Sequence, residues 1–459
     1  MASKNSIDMI NGSLWGKILK FSLIYMLTAV LQHLYTAADV IIVGRYAGET
    51  ALAGVGTCDS VVNLFLNFIL GLSAGATILL GQAIGANDRD KISKASHTSI
   101  AVAVFGGLFI SVICICFSKT FLTLIDVPQN VMPEALTYIR IVSIGFIPSL
   151  IYNFGAGILR AKGDTKRALY IVTASGIINV FLNLFFVCIC KMTASGVALA
   201  TIISQIFTAF AILFILCRES DETRIFIRKI KIHSEEFLKI LKFGLPSGIQ
   251  SSIFSISNIL VQSSINSFGA AAIAGSSAEA SIAHFYNAMV NSFYQSAIVF
   301  SSQNFGARKL NRIKKTICIC MTYVVAVWVI QSALTFFGGE FLLKFYIKDN
   351  PEVVEWGLKK FNLLGYSYIF LGFMNIMSGA LRGMGASLLN MITSILGVCG
   401  IRILWVLTIF PLFGTFESLF ICYPLSWLGT FIMHFIMFCI VFKKEKQIYE
   451  NNKTANLTV

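Results

Sequence analysis

Three polar residues interrupt the first long apolar stretch at helical spacing: Gln32, Thr36 and Asp39, at i, i+4 and i+7. On a helix they form one polar stripe on an otherwise apolar surface. Asp39 is the residue able to do chemistry, held between Thr36-Ala37-Ala38 and Val40-Ile41-Ile42-Val43, with Tyr35 one turn before it. A charged side chain at membrane depth costs about 2.5–3.5 kcal/mol on insertion scales, so it marks a functional site by default. Such a carboxylate can take up and release a proton or hold a cation. The structural alternative is an acid hydrogen-bonded near the interface, since Gly44-Arg45 follows soon after. Asn179 and Asn183 form a second polar pair, one turn apart in Asn179-Val180-Phe181-Leu182-Asn183. Their amides can offer carbonyl oxygens to a hard cation, donate to a carboxylate, or join two helices. Arg402 is the odd cation inside an apolar segment, placed to pair with an acid or bind an anionic substrate. Glu279, early in another segment, is an acid near an interface. Asn153 and Asn375 recur in matching places, where packing is the main expectation.

The elements that position these residues are membrane helices. The chain has 459 residues, 56% hydrophobic and 13% charged, whereas soluble domains carry about 25% charged residues. About twelve apolar segments recur, continuous rather than alternating, which excludes a β-barrel. Asp39 falls in 15–43, Asn179 and Asn183 in 168–190, Thr201 in 194–216, Glu279 in 278–302 and Arg402 in 388–410. The first segment is too long for a cleavable signal and is expected to stay. With the N-terminus inside, 27 of the 36 Lys and Arg fall on the inner side, 8 outside, and Arg402 within a helix. That is the positive-inside pattern with both termini cytoplasmic, so the net charge of +14 speaks for topology rather than nucleic acid. Of the eleven cysteines, Cys114/Cys116, Cys188/Cys190 and Cys318/Cys320 are spaced i, i+2 and point apart on a helix, against a shared metal or a disulfide. Sequons at Asn452 and Asn456 lie on the inner side and are expected to be silent.

The chain repeats itself. Lys20-Phe21 matches Lys242-Phe243, and Asn153, Gly157, Leu159 and Arg160 match Asn375, Gly379, Leu381 and Arg382, all shifted by 222. Gly48, Ala51, Ala53 and Gly54 match Gly269, Ala272, Ala274 and Gly275, and Gln82, Gly85 and Ala86 match Gln303, Gly306 and Ala307, shifted by 221. The expected division is an N-lobe 1–217 with six helices, a linker 218–236, a C-lobe 237–442 with six more, and a tail 443–459. An even helix number per half makes the repeats parallel. Two such bundles around a cleft suit alternating access. The sequence has no GxxxxGK[ST] nucleotide motif, so energy must come from an ion or substrate gradient.

These blocks carry a resemblance. Gln32-x2-Tyr35-x3-Asp39-x3-Val43-Gly44, Gly81-Gln82-x2-Gly85-Ala86, Leu159-Arg160-Ala161-Lys162-Gly163-Asp164, Gly196-Val197-Ala198-Leu199-Ala200-Thr201, Gly244-Leu245-Pro246 and Ser302-Gln303-Asn304-x-Gly306-Ala307 together resemble the multidrug and toxic compound extrusion (MATE) family, over about residues 15–441. The acidic first half is nearer the DinF-like than the NorM-like branch. The resemblance implies twelve helices in two six-helix lobes and cation-coupled antiport. It also implies an N-lobe cation site of one Asp on helix 1, an Asn and an Asp one turn apart on helix 5, and a Thr on helix 6. On this chain those positions are Asp39, Asn179, Asn183 and Thr201, so the second acid is replaced by Asn183. In the second half the register mate of Asp39 is Val261. Ile24 stands where the family often has proline and where the repeat mate is Pro246.

The expectation is an exporter of organic cations, drugs or other small amphiphiles in exchange for H⁺, or for Na⁺ held at Asp39, Asn179, Asn183 and Thr201. Gln32, Tyr35, Thr36, Asn153, Glu279, Asn375 and Arg402 are candidates for the substrate pathway. No cofactor, nucleotide or nucleic acid is expected, and the chain is expected to be monomeric in the inner membrane. A lipid or lipid-linked precursor flippase is the alternative, but its cleft would be rich in Arg and Lys, and only Arg402 qualifies. A membrane enzyme would need clustered His, Asp or Glu at one membrane face, a pattern missing from the sequence.

Overall fold

The computed structural model describes residues 6–347 and 350–455. Among the described residues there are helices and no strands. We number twelve spans. α1 is Trp15–Tyr46, α2 Glu49–Gly85 and α3 Arg89–Leu124; α4 is the pair Met132–Ile144 and Phe146–Ala161; α5 is Lys166–Ile189 and α6 Ala194–Cys217. α7 is Ser234–Asn266, α8 Ala270–Gly306 and α9 Leu310–Tyr346; α10 is the pair Pro351–Gly365 and Tyr368–Gly383; α11 is Ser387–Phe413, and α12 is Phe416–Phe420 followed by Cys422–Ala455. Eight spans are long and apolar enough to cross a membrane alone, and the two bent pairs raise this to ten. α7 and α8 are as long, 33 and 37 residues, but carry charge and many buried Ser, Asn and Gln. α12 continues as helix through most of the expected tail. The side chains of the two sequons lie outside the described residues.

The bends have local causes. α4 turns by 42° at Gly145, where Pro148 has no N–H for the carbonyl four residues earlier. α10 turns by 49°. There the Trp328 indole donates at 3.0 Å to the carbonyl of Tyr366, which lies in the break between the two helices, and the Tyr286 hydroxyl donates at 3.0 Å to the carbonyl of Tyr368, the first residue of the second helix. α1 runs unbroken past Ile24, and α7 runs unbroken past Pro246.

The chain forms two compact units. Unit 1 is Met1–Asp8 with Leu27–Gly248, and unit 2 is Met9–Met26 with Ile249–Val459. The boundaries fall inside α1 and α7, so each unit holds the first part of one of these helices and the second part of the other. In unit 1 the start of α7 packs on α2 through glycine. A Cβ at Gly75 would lie 2.6 Å from the Gly244 nitrogen, and one at Gly71 2.3 Å from the Gly248 nitrogen, so both sites admit glycine alone. In unit 2 the start of α1 packs on α8 at the repeat-equivalent positions. There Ser22 and Ser296 share a buried hydrogen bond of 2.7 Å, and Phe21 meets Phe300 edge-on at 5.9 Å. The same crossing is thus closed by bare backbone in one unit and by hydroxyls in the other.

The linker is fastened to unit 1 by buried charge. Lys162 pairs with Glu219 at 2.9 Å and with Asp221, Arg167 pairs with Asp164 and with Glu219 at 2.5 Å, and Thr223 donates to Asp221. Burial by itself raises the Asp221 carboxyl. Hydrogen bonds from Lys162 and Thr223 outweigh it and hold the group below the ordinary carboxylate range.

Candidate cation site and the buried charges of the second unit

In unit 1, α1 and α5 meet along a face prepared by glycine. A Cβ at Gly176 would lie 1.9 Å from the Tyr35 ring, so the aromatic fits only against bare backbone. Tyr35 donates to the Thr173 carbonyl at 3.3 Å. One turn further along both helices lies the polar cluster. Asn183 Nδ2 donates to Asp39 Oδ1 at 2.5 Å and to Asn179 Oδ1 at 3.2 Å. Asn183 is fully buried and Asn179 nearly so, while Asp39 is half-buried. Among the described residues no Lys, Arg or His pairs with Asp39. The Asn183 carbonyl oxygen is buried without a hydrogen-bond partner, an acceptor left open beside a carboxylate. That orphaned oxygen, the free Asp39 oxygen and the Asn179 carbonyl are the hard donors that suit a proton or an alkali cation. Immediately after Asn183 the helix loosens into a π turn, Leu184–Ile189, a feature common at functional sites.

The other sequence candidates sit elsewhere. Thr201, half-buried on α6, makes no hydrogen bond to Asp39, Asn179 or Asn183 among the described residues. Thr36 bonds back to the Gln32 carbonyl at 3.1 Å, and both side chains are exposed. The face of α1 that meets α5 therefore carries Tyr35 and Asp39 rather than the whole Gln32–Thr36–Asp39 stripe. Asn153 donates to the Ser149 carbonyl of its own helix at 2.9 Å. Asn375 is half-buried on α10.

Three buried charge sites lie among the described residues of unit 2: the Glu279–Lys360 pair, Arg402, and Arg382, which donates to the Tyr294 hydroxyl and to Gln250. Glu279 of α8 pairs with Lys360 of α10 at 2.8 Å, and accepts from the Tyr368 hydroxyl at 2.9 Å. Lys360 also donates to the Ser276 hydroxyl and carbonyl at 2.9 and 3.0 Å. Glu279 is 1% exposed, so its charge is held wholly by these partners. Arg402 of α11 donates to Ser426 of α12 at 3.1 Å and to Asn258 of α7 at 3.0 Å, and its guanidinium lies 4.1 Å above the Tyr423 ring. It makes no ion pair among the described residues. Sequence reasoning missed Lys360, although its signal was present. Val353, Gly357, Lys360 and Leu364 recur at helical spacing, and all four are buried. Asn258 was also missed, and it is the register mate of Thr36 at offset 222.

With this geometry established, known proteins place the chain. The MatE family model matches twice, over residues 25–185 and 246–408. The two matches begin one repeat offset apart and cover most of the sequence. The chain belongs to this family, the MATE transporters; it is a multi-pass membrane transporter and not an enzyme. Among curated relatives it is similar to the probable multidrug resistance protein YoeA of Bacillus subtilis (strain 168), 26% identical over 401 residues, covering 85% of this chain and 86% of that one. A second, the probable multidrug resistance protein YpnP of the same organism, is 26% identical over 397 residues, covering 86% and 88%. A solved MOP-superfamily transporter from Pyrococcus furiosus superposes with a TM-score of 0.89 at 19% identity, over 97% of this chain and 99% of that one, which shows the common fold.

Proposed function

We propose that the protein is a secondary antiporter that exports organic cations or other small amphiphiles, drugs among them, in exchange for H⁺. The observation that carries the coupling ion is Asp39. Its carboxylate lies in a membrane span with amide partners only and no positive charge beside it. An anion so placed is unfavourable at membrane depth, so it is neutralised by a proton or cation arriving from outside the protein. A single carboxylate suits one proton; Na⁺ would have to be held by one charge, the Asn179 and Asn183 oxygens and water. Loading changes the hydrogen bond between α1 and α5. A ligand that acts differently on two conformations shifts their balance, which links loading to alternating access. A cationic substrate competes for the same charge. The relatives named for multidrug resistance support the substrate class, and the single neutral substitution at Asn183 keeps the site close to the DinF-like pattern. The charge asymmetry of the loops supports the inner membrane with both termini cytoplasmic. The linker cluster and the Glu279–Lys360 pair are each completed within one chain, which supports a monomer.

The test is transport in proteoliposomes with an imposed pH or Na⁺ gradient. Wild type moves substrate on the pH gradient, and Asp39→Asn does not. Equal gradient-driven transport by the two proteins would sink the coupling role.

A further inference from the structure

The two halves join equivalent helices with opposite charge. In unit 1, α1 and α5 are linked by the Asp39 carboxylate and the Asn183 amide. In unit 2 the equivalent helices, α7 and α11, are linked by the Asn258 amide and the Arg402 guanidinium. Shifted by 222, the segment 179–183 becomes 401–405, which contains Arg402. We propose that Arg402, with Asn258 and Ser426, forms a binding site for an anionic group, a carboxylate on an otherwise aromatic or cationic molecule, so that the preferred substrate is a zwitterionic or acidic amphiphile.

The charge balance carries this. Arg402 is 5% exposed, and its partners are all neutral: an amide, a hydroxyl and an aromatic face. The acid of the same unit that is buried, Glu279, is already neutralised by Lys360. The buried set Glu279, Lys360, Arg382 and Arg402 therefore carries two positive charges in excess; Arg382 donates to Tyr294 and Gln250 near the end of α10, while Arg402 lies within α11. An unpaired guanidinium inside a membrane bundle is as costly as an unpaired acid, and it marks an ion or substrate site on the same grounds. Its hydrogen bonds are also incomplete. Nε goes to Ser426 and Nη1 to Asn258, while Nη2 has no acceptor among the described residues. A guanidinium edge with free N–H groups matches a carboxylate bidentately. Asn258 is exposed, so the site reaches the surface of the unit.

The backbone on both sides of Arg402 is irregular. α11 is a π turn over Ile395–Gly400, regular over Ile401–Leu404, and a π turn again over Trp405–Ile409. Such turns are rare and cluster at functional sites. Here two of them bracket the charged residue. Gly397 abuts Thr430 so closely that a Cβ would fall 2.1 Å from its hydroxyl, which pins α11 to α12 and holds the guanidinium edge in place. Tyr423 lies behind Arg402 and leaves that edge for a ligand.

This inference rests on the efflux reading for its physiological sense, but its test does not use transport. The probes are tetramethylrhodamine, which carries a free carboxylate, and its methyl ester, which has the same fluorophore without one. Their affinities for the detergent-purified full-length protein are measured by fluorescence anisotropy. Wild type is expected to bind the acid more tightly than the ester. A charge-assisted hydrogen-bond pair of this kind corresponds to about tenfold or more, and Arg402→Gln should remove that preference. If Arg402→Gln fails to fold, Asn258→Asp decides: it supplies an internal carboxylate to Arg402, displaces the ligand's, and should lower the acid-to-ester affinity ratio to a similar degree. A wild type with no preference for the acid, or a ratio unchanged in a folded variant, overturns the proposal. Acid binding that depends on Arg402 in a protein showing no gradient-driven export would leave this site standing and sink the antiport reading instead.

Discussion

The two units carry buried charge at different places in one repeated frame, and in different electrical states. In unit 1, besides the paired charges of the linker, the charge is the half-buried Asp39, joined to amides and to no cation among the described residues. At that register unit 2 has Val261, 1% exposed in an apolar cluster. In unit 2 an ion pair sits at Glu279 and Lys360. At those registers unit 1 has Cys58, fully buried, and Tyr138, 8% exposed. The register is secure there, because Gly54 packs on Glu134 and Ala135 as Gly275 packs on Trp356 and Gly357. Duplication therefore preserved the scaffold while each half kept a different site. Glu279 and Lys360 neutralise each other, whereas Asp39 and Arg402 have no opposite charge beside them among the described residues. The comparison says which mutations should damage stability and which should damage transport.

The largest effect belongs to the paired site. Lys360→Met leaves Glu279 buried without its cation, and breaking a buried pair costs about 3–5 kcal/mol. Unfolding of the detergent-solubilised protein by heat or denaturant should show that loss. Replacing both partners, Glu279→Leu with Lys360→Leu, should recover most of it. Asp39→Asn, by contrast, should stay within about 1 kcal/mol of wild type while abolishing gradient-driven transport. If Asp39→Asn proved the more destabilising of the two, the division between structural and functional charge would fail.

Next in size is the departure at Asn183. Asn183→Asp puts a second carboxylate beside Asp39. Cation affinity rises with the number of charged ligands, so Na⁺ should bind about tenfold more tightly and Na⁺ gradients should begin to drive transport. Sodium-dependent protection against unfolding, measured with and without the substitution, checks this. No gain in sodium response would mean that the cluster around Asp39 is not where the ion sits.

How much of this was legible in the sequence differs between backbone and side chains. The helices were visible because their apolar runs are long, and the repeat was visible because glycines and small residues at tight crossings tolerate few replacements. Asp39 and Asn183 were legible as polar atoms in apolar runs. What the sequence hid was pairing. Glu279 read as an isolated acid because its partner, Lys360, lies 81 positions away on another helix. The stripe Gln32–Thr36–Asp39 was correct in periodicity, yet Gly176 decides which side of α1 meets α5, and a stripe alone cannot say so.

Gly176→Ala tests that meeting. Its Cβ would overlap the Tyr35 ring, and overpacking of this kind costs about 1–3 kcal/mol. The repeat-equivalent substitution, Gly397→Ala, would meet the Thr430 hydroxyl instead. The first should weaken coupling at Asp39 and spare acid-selective binding at Arg402; the second should do the reverse. Transport on a pH gradient and the acid-to-ester affinity ratio separate the two outcomes.

The smallest effect is at the linker, where the units differ again. Unit 1 ends α4 and begins α5 with Lys162 tied to Glu219 and Asp221, and Arg167 tied to Asp164 and Glu219. The matching stretch of unit 2, 382–389, carries Arg382, which donates to the Tyr294 hydroxyl and to Gln250 at 2.8 Å, both neutral. Asp221 is held below its ordinary value, about 3.9 in an unfolded chain. A group depressed in the folded state contributes stability that is full above its unfolded value and is lost as pH falls through the folded one. The linker clamp of unit 1 should therefore hold at neutral pH and loosen below about pH 4, whereas the equivalent end of unit 2, with no carboxylate in its hydrogen bonds, should not respond. The Asp221 side chain is 24% exposed, so the loss is on the order of 1 kcal/mol. Hydrogen-exchange protection, corrected for the intrinsic rate at each pH, should fall across 160–167 and 217–225 in acid while 382–389 keeps its protection. Asp221→Asn should remove most of that pH dependence, because it deletes the titrating group and leaves Lys162 paired with Glu219. Equal loosening of both stretches would show that acid acts on the bundle as a whole rather than on this clamp.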